Sequence, residues 1–125
     1  LEIKMNRKKV LIIDDDARNI FALTATLKSR SYDCLSALSA ADALEILKVQ
    51  SDIDIVLIDM MMPDMDGYEA IPLIKKIPAY SNTPVISVTA LAMTGDKEKC
   101  LSAGADGYIS KPIDVDKLML ILNSL

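Results

Sequence analysis

The chain has no histidine and no tryptophan, one phenylalanine, four glycines and two cysteines among its 125 residues. Each scarcity closes a line of chemistry. Without histidine there is no imidazole for a Ser/His or Cys/His relay and none to complete a zinc site. Cys34 and Cys100 stand far apart without metal-ligand spacing, so a reduced thiol pair is expected rather than a disulfide framework. No Gly-rich phosphate cradle follows the first apolar run. No run approaches the roughly 18 apolar residues that cross a bilayer, and the start lacks a signal-peptide pattern. The expectation is a soluble, cytoplasmic domain that does not touch a membrane.

Positive charge is also short, with 14 Lys and Arg against 18 Asp and Glu for a net charge of −4. A phosphate backbone would find no basic field to follow, so direct nucleic-acid binding is not expected. The one basic cluster, Lys4, Arg7, Lys8 and Lys9, precedes the first apolar run and reads as a solvated leader. Because the sequence opens on Leu1, with Met5 as an alternative natural start, residues 1–8 are read as a leader or a remnant of cloning. Residues 9–125 then form one domain. With 51% apolar and 26% charged residues, that length suffices for one continuous core.

Five short apolar runs recur: Lys9 to Asp14, Asp33 to Leu38, Ile55 to Asp59, Pro84 to Thr89 and Asp106 to Ser110. They show little alternation, as strands buried on both faces do, and each is followed by a segment with helical spacing. The pattern predicts an α/β fold, a doubly wound five-stranded parallel sheet with helices on both faces. Ile20, Leu23, Ala25 and Leu27 form the first helical stripe. Ala43, Leu44, Ile46 and Leu47 form the second, started by Ser39 or Ala40 with Asp42 in its first turn. Asp66 and Glu69 resemble a capping box for the third helix. The fourth is expected from near Thr94 to Gly104, a left-handed cap, and the fifth after Pro112 and Asp114, burying Val115, Leu118, Met119 and Leu122. Pro72 falls inside the third helix and predicts a kink or a shortening there.

Ligands of an open parallel sheet bind beyond the carboxyl ends of its strands. Those ends carry Asp14, Asp15 and Asp16 after the first strand, Asp59 after the third, Thr89 after the fourth and Lys111 just after the fifth. An acid after a strand is often a turn former or helix cap, and Asp16 reads as one. The others on a single rim ask for a common cause. Two carboxylates about 4 Å apart repel by roughly 4 kcal/mol at an effective dielectric near 20. A hard divalent cation with oxygen ligands offsets that, Mg²⁺ being held by one or two carboxylates plus phosphate oxygens, and an ammonium supplies a second counter-charge. The set looks built for phosphate, and without histidine an activated phosphoryl group must come from another molecule.

Four segments carry a further resemblance: Val10 to Asp16, Asp59 to Gly67, Val88-Thr89-Ala90, and Gly104 to Pro112. In this order and spacing they resemble the response-regulator receiver family of two-component signalling, over nearly the whole chain from about Lys9 to Leu125. The stretch from Thr89 to Pro112 looks most like receivers attached to hybrid sensor kinases. The resemblance implies the flavodoxin-like (βα)5 receiver fold, with Asp59 as phosphoacceptor and nucleophile. It implies Mg²⁺ held by Asp15 directly, Asp14 mainly through water, Asp59, and the backbone carbonyl of Met61. Lys111 would neutralise phosphoryl charge, Thr89 would donate its hydroxyl after transfer, and Tyr108 would be the aromatic that turns inward with it. A cis Lys111–Pro112 bond is implied too. The chain would then act on nothing but its own phosphorylation and dephosphorylation.

The implied donor is a phosphohistidine on a histidine kinase or phosphotransfer protein. The implied output is a downstream protein or fused domain, through the face of the fourth helix, fifth strand and fifth helix, which would also serve a homodimer. Met61 and Leu91 are apolar and cannot orient a hydrolytic water, so slow loss of the phosphoryl group is expected. Two rival readings stand beside this one. A haloacid dehalogenase-like phosphatase would use Asp14 as nucleophile and Asp16 as acid/base, although Arg18 departs from that motif and no cap segment fits. A receiver that binds partners without phosphorylation is the other.

Overall fold

The computed structural model describes residues 7–90 and 95–125; Lys4, Leu91 and Thr94 lie outside the described residues. The strands are β1 (Lys9–Ile13), β2 (Asp33–Ala37), β3 (Ile55–Asp59), β4 (Val85–Thr89) and β5 (Gly107–Ser110). Each lies within one residue of the run that predicted it. The helices are α1 (Ala17–Ser29), α2 (Ala40–Val49), α3 (Gly67–Lys76), α4 (Asp96–Ser102) and α5 (Val115–Asn123). All strands are parallel, in the order β2-β1-β3-β4-β5. The winding reverses between β1 and β3, which opens a crevice beyond their carboxyl ends.

Alternation along each strand feeds two separate cores. Leu11, Ile13, Val56, Ile58 and Val85 pack against α2, α3 and α4. Val10, Ile12, Ile55, Leu57, Ile86 and Val88 pack against α1 and α5. Leu23 and Leu27 of α1 are buried as the stripe required, but Ala25 is exposed. It sits two residues from each leucine, about 200° around the helix, and so faces water.

Short polar side chains start four of the helices. Asp16, Ser39, Asp66 and Asp114 each accept a backbone N–H of the first turn, from Arg18, Asp42, Glu69 and both Asp116 and Lys117 respectively. Such caps satisfy donors that the helix itself cannot. Gly104, at φ +110°, ends α4. Its N–H donates to Leu101 O at 3.0 Å and that of Ala105 to Cys100 O at 3.1 Å, the paired bonds of a Schellman motif.

Pro72 does not end α3, which continues through it to Lys76. Pro72 is exposed, so the Tyr68 carbonyl left without its helical donor lies on the side where water can reach it. The amphipathic face bearing Ala70, Ile71 and Ile74 holds the helix together from the other side. A one-turn 3₁₀ helix at Pro78–Tyr80 follows, which the apolar pattern did not predict.

The rim opposite the crevice is held by matched charges. Lys9 Nζ meets Asp52 at 2.6 Å while its N–H donates to Asp54 at 2.8 Å. Lys75 Nζ lies 2.7 Å from Asp106, whose carboxylate also accepts Val85 N–H at 2.9 Å. Pro72→Ala restores a helical hydrogen bond and should raise unfolding free energy by about 2 kcal/mol, after allowing for the looser unfolded chain. Urea denaturation of the two proteins checks this.

Candidate functional site

The carboxyl ends of β1 and β3 are neighbours in register, Ile13 pairing with Ile58, so the residues that follow them converge. Asp14, Asp15 and Asp59 each present a carboxylate oxygen, all within 4.8 Å of one another. Asp14 and Asp59 are only 3% and 6% exposed, whereas Asp15 is at the open edge. At that spacing each ionised pair repels by about 3–4 kcal/mol for an effective dielectric near 20. Lys111 answers this from the end of β5, its Nζ donating to Asp14 Oδ2 at 3.3 Å and to Asp59 Oδ2 at 3.2 Å. Its backbone N–H is fixed by Thr89 O at 2.8 Å. The Lys111–Pro112 bond is cis, in agreement with the expectation.

Backbone donors complete the cradle. The N–H of Asp16 reaches Asp14 Oδ1 at 2.9 Å, and that of Met61 reaches Asp59 Oδ1 at 2.9 Å. Burial first and the repulsion of Asp14 push the Asp59 carboxyl above its ordinary value, against the Met61 N–H and the Lys111 ammonium, which pull it down. Burial lowers the Lys111 ammonium, but the attraction of Asp59 and Asp14 outweighs it and leaves that group raised. Anionic oxygens from two buried groups and one exposed group, with an ammonium at their back, match the hard donors that Mg²⁺ takes.

The remaining predicted residues surround this cluster. Thr89 ends β4 and is 1% exposed. Its neighbour Val88 pairs with Asp59 across the sheet. Tyr108, half-buried on β5, packs against the core on the α4 side of the sheet. Met61 sits in the loop after β3 with its side chain 54% exposed. Asp16 stays outside the cluster as the cap of α1, which removes the acid/base of the phosphatase reading. Sequence reasoning missed Asn19, whose amide donates to Asp14 Oδ2 at 3.4 Å; its place one turn after the Asp16 cap was the available signal. A cavity of about 530 Å³ opens beside the acids, between α1 and the start of α5, lined by Asp14, Leu23, Lys111, Ile113 and Val115 among others.

Since burial disfavours the ionised form of Asp59, removing its charge should relieve the fold when no divalent cation is present. Asp59→Asn is expected to melt a few degrees above the wild type in chelator at neutral pH. Asp15→Asn, at the open edge, should change the melting temperature less. Calorimetry of the three proteins decides this.

The chain has counterparts among known proteins. Residues 10–123 match the family model of the response regulator receiver domain. The chain is 41% identical over 113 residues, 90% of its length, to the signal transduction histidine-protein kinase BarA of Escherichia coli K12, and covers 12% of that kinase. It is 40% identical over 107 residues, 86% of its length, to the sensor histidine kinase RcsC of the same strain, covering 11% of it. The chain thus spans about one-eighth of the length of these relatives. Among solved structures, the receiver domain of sensor histidine kinase PA1611 from Pseudomonas aeruginosa superposes with a TM-score of 0.86 at 30% identity, covering 95% of this chain and 97% of the other. That structure has a magnesium ion coordinated in its active-site cleft. The chain belongs to the response regulator receiver domain family.

Proposed function

We propose that Asp59 takes a phosphoryl group from the phosphohistidine of a histidine kinase or phosphotransfer protein, with Mg²⁺ bound among Asp14, Asp15, Asp59 and the Met61 carbonyl. The observation that carries this reading is the convergence of three carboxylates and the Lys111 ammonium on one accessible rim. A bound Mg²⁺ supplies positive charge to the oxygens of the transferring group. Asp59 Oδ forms the new O–P bond in line as the N–P bond of the donor breaks, and the electron pair leaves with the imidazole, which is then protonated. The Met61 N–H on Asp59 Oδ1 fixes the carboxylate plane and leaves Oδ2 as the attacking atom. Oδ2 is the oxygen that Lys111 holds. As charge moves outward onto the phosphoryl oxygens, the ammonium can follow it, an electrostatic stabilisation of the transition state.

The product side chain carries about −1.5 to −2 charge where the Asp59 carboxylate held −1. Thr89 donates its hydroxyl to a phosphoryl oxygen, and Tyr108 turns into the space that Thr89 leaves. The face of α4, β5 and α5 passes the change to a downstream protein or fused output domain, or to a second copy of the chain. Met61 exposes a thioether that cannot orient an attacking water, so the adduct is long-lived.

Transfer of labelled phosphoryl from a phosphorylated histidine kinase tests the assignment. Asp59→Asn should abolish the acid-stable, base-labile adduct, whereas Asp14→Asn should slow its formation by about 10²-fold and leave it detectable. The reverse ranking would support the Asp14 phosphatase reading. The wild-type adduct should last minutes or longer, and a half-life of seconds would contradict the role given to Met61.

A further inference from the structure

Helix α4 is seated unlike its neighbours. It has seven residues, and its N-cap is Gly95, at φ +96°, which offers no side-chain acceptor. Among the described α-helices it alone starts without a side-chain cap. Only Asp96 and Cys100 of α4 are buried, so its inward face brings a carboxylate and a thiol where α5 brings Leu118, Met119 and Leu122. Cys100 Sγ meets Tyr68 Oη at 4.0 Å, a weak contact for a thiol.

The sheet on this face also carries a buried polar group. Ser87 is 0% exposed and sits on β4 between Ile86 and Val88, which face the α1 and α5 side. Its side chain therefore faces the α3 and α4 layer, with Val85 and Thr89. It pairs across the sheet with Tyr108. Among the described residues, Ser87 Oγ is the buried side-chain oxygen left without a hydrogen-bond partner. A hydroxyl so placed is penalised in the closed state and relieved when water or a new partner reaches it.

We propose that Ser87 is a positioning residue that biases α4 toward opening: its unpaired hydroxyl raises the free energy of the seated helix and is satisfied when α4 lifts. Few buried apolar contacts and an uncapped start mark α4 as a unit that opens before the rest of the domain. Ser87 lies two residues before Thr89 and beside Tyr108, so it sets how far the resting protein stands from the state that the reading of Asp59 above has phosphorylation favour.

Native-state amide hydrogen exchange on the whole chain tests this without any phosphodonor. In Ser87→Ala, the α4 amides of residues 96–102 should exchange on the order of tenfold more slowly. The global unfolding constant from urea should fall by the same factor. If global stability rises while α4 exchange is unchanged, α4 opens without uncovering Ser87 and the proposal is overturned. It is equally overturned if neither quantity moves. A second arm titrates beryllofluoride with Mg²⁺ and reads the same amides, with a higher midpoint expected for Ser87→Ala. Equal midpoints would break the link from Ser87 to the switch. A wild type that ignores beryllofluoride would count against Asp59 as acceptor, leaving the exchange comparison to decide the role of Ser87.

Discussion

The Lys111 ammonium between Asp14 and Asp59 is the contact on which the rest depends. Two buried carboxylates on adjacent parallel strands would repel at a cost of several kcal/mol. One cation at 3.2 and 3.3 Å offsets much of that. The fold supplies it from the far side of the sheet, because β4 lies between β3 and β5. Lys111 reaches back over β4 and is anchored by the Thr89 carbonyl. The arrangement is stable enough to fold yet incompletely compensated, since Asp59 remains raised above its ordinary value. That residual cost is what a divalent cation would relieve.

Separate cores on the two faces explain why the rim tolerates such charge. The α1 and α5 side is closed by leucines, isoleucines and valines. The other side is apolar around α2 and α3 but carries polar groups toward α4 and β5, where Tyr68 meets Cys100 and Ser87 pairs across the sheet with Tyr108. Burial there pushes the Tyr68 phenol up to about 12, with the thiol of Cys100 adding to the effect. The sheet is thus rigidly backed on one side and more loosely on the other.

Strand positions were legible in the sequence because a strand buried on both faces is a dense apolar run, and parallel strands need such burial. The acids were legible because each interrupts such a run at its end. Helix starts were legible from Asp16, Ser39, Asp66 and Asp114, whose short side chains cap at a fixed offset. What escaped was set by three-dimensional context. Ala25 fits an apolar count but falls on the wrong side of α1. Asn19 was signalled only by its place one turn after the Asp16 cap, and its contact with Asp14 depends on how α1 enters the crevice. Ser87 reads as an ordinary strand residue until the lack of any partner is seen.

The charge pairs at the amino-end rim give the domain a direction. Lys9 with Asp52 and Asp54, and Lys75 with Asp106, tie the start of β1 to the loop before β3 and the starts of β4 and β5 to the end of α3. Both lysines here are paired, two ammoniums to three carboxylates, while the opposite rim sets the single ammonium of Lys111 against Asp14, Asp15 and Asp59. The molecule is therefore clamped at its base and frustrated at its crown, like a tuning fork held by the stem. On the function proposed for Asp59, a change of charge at the crown would act on the prongs before it reached the grip below.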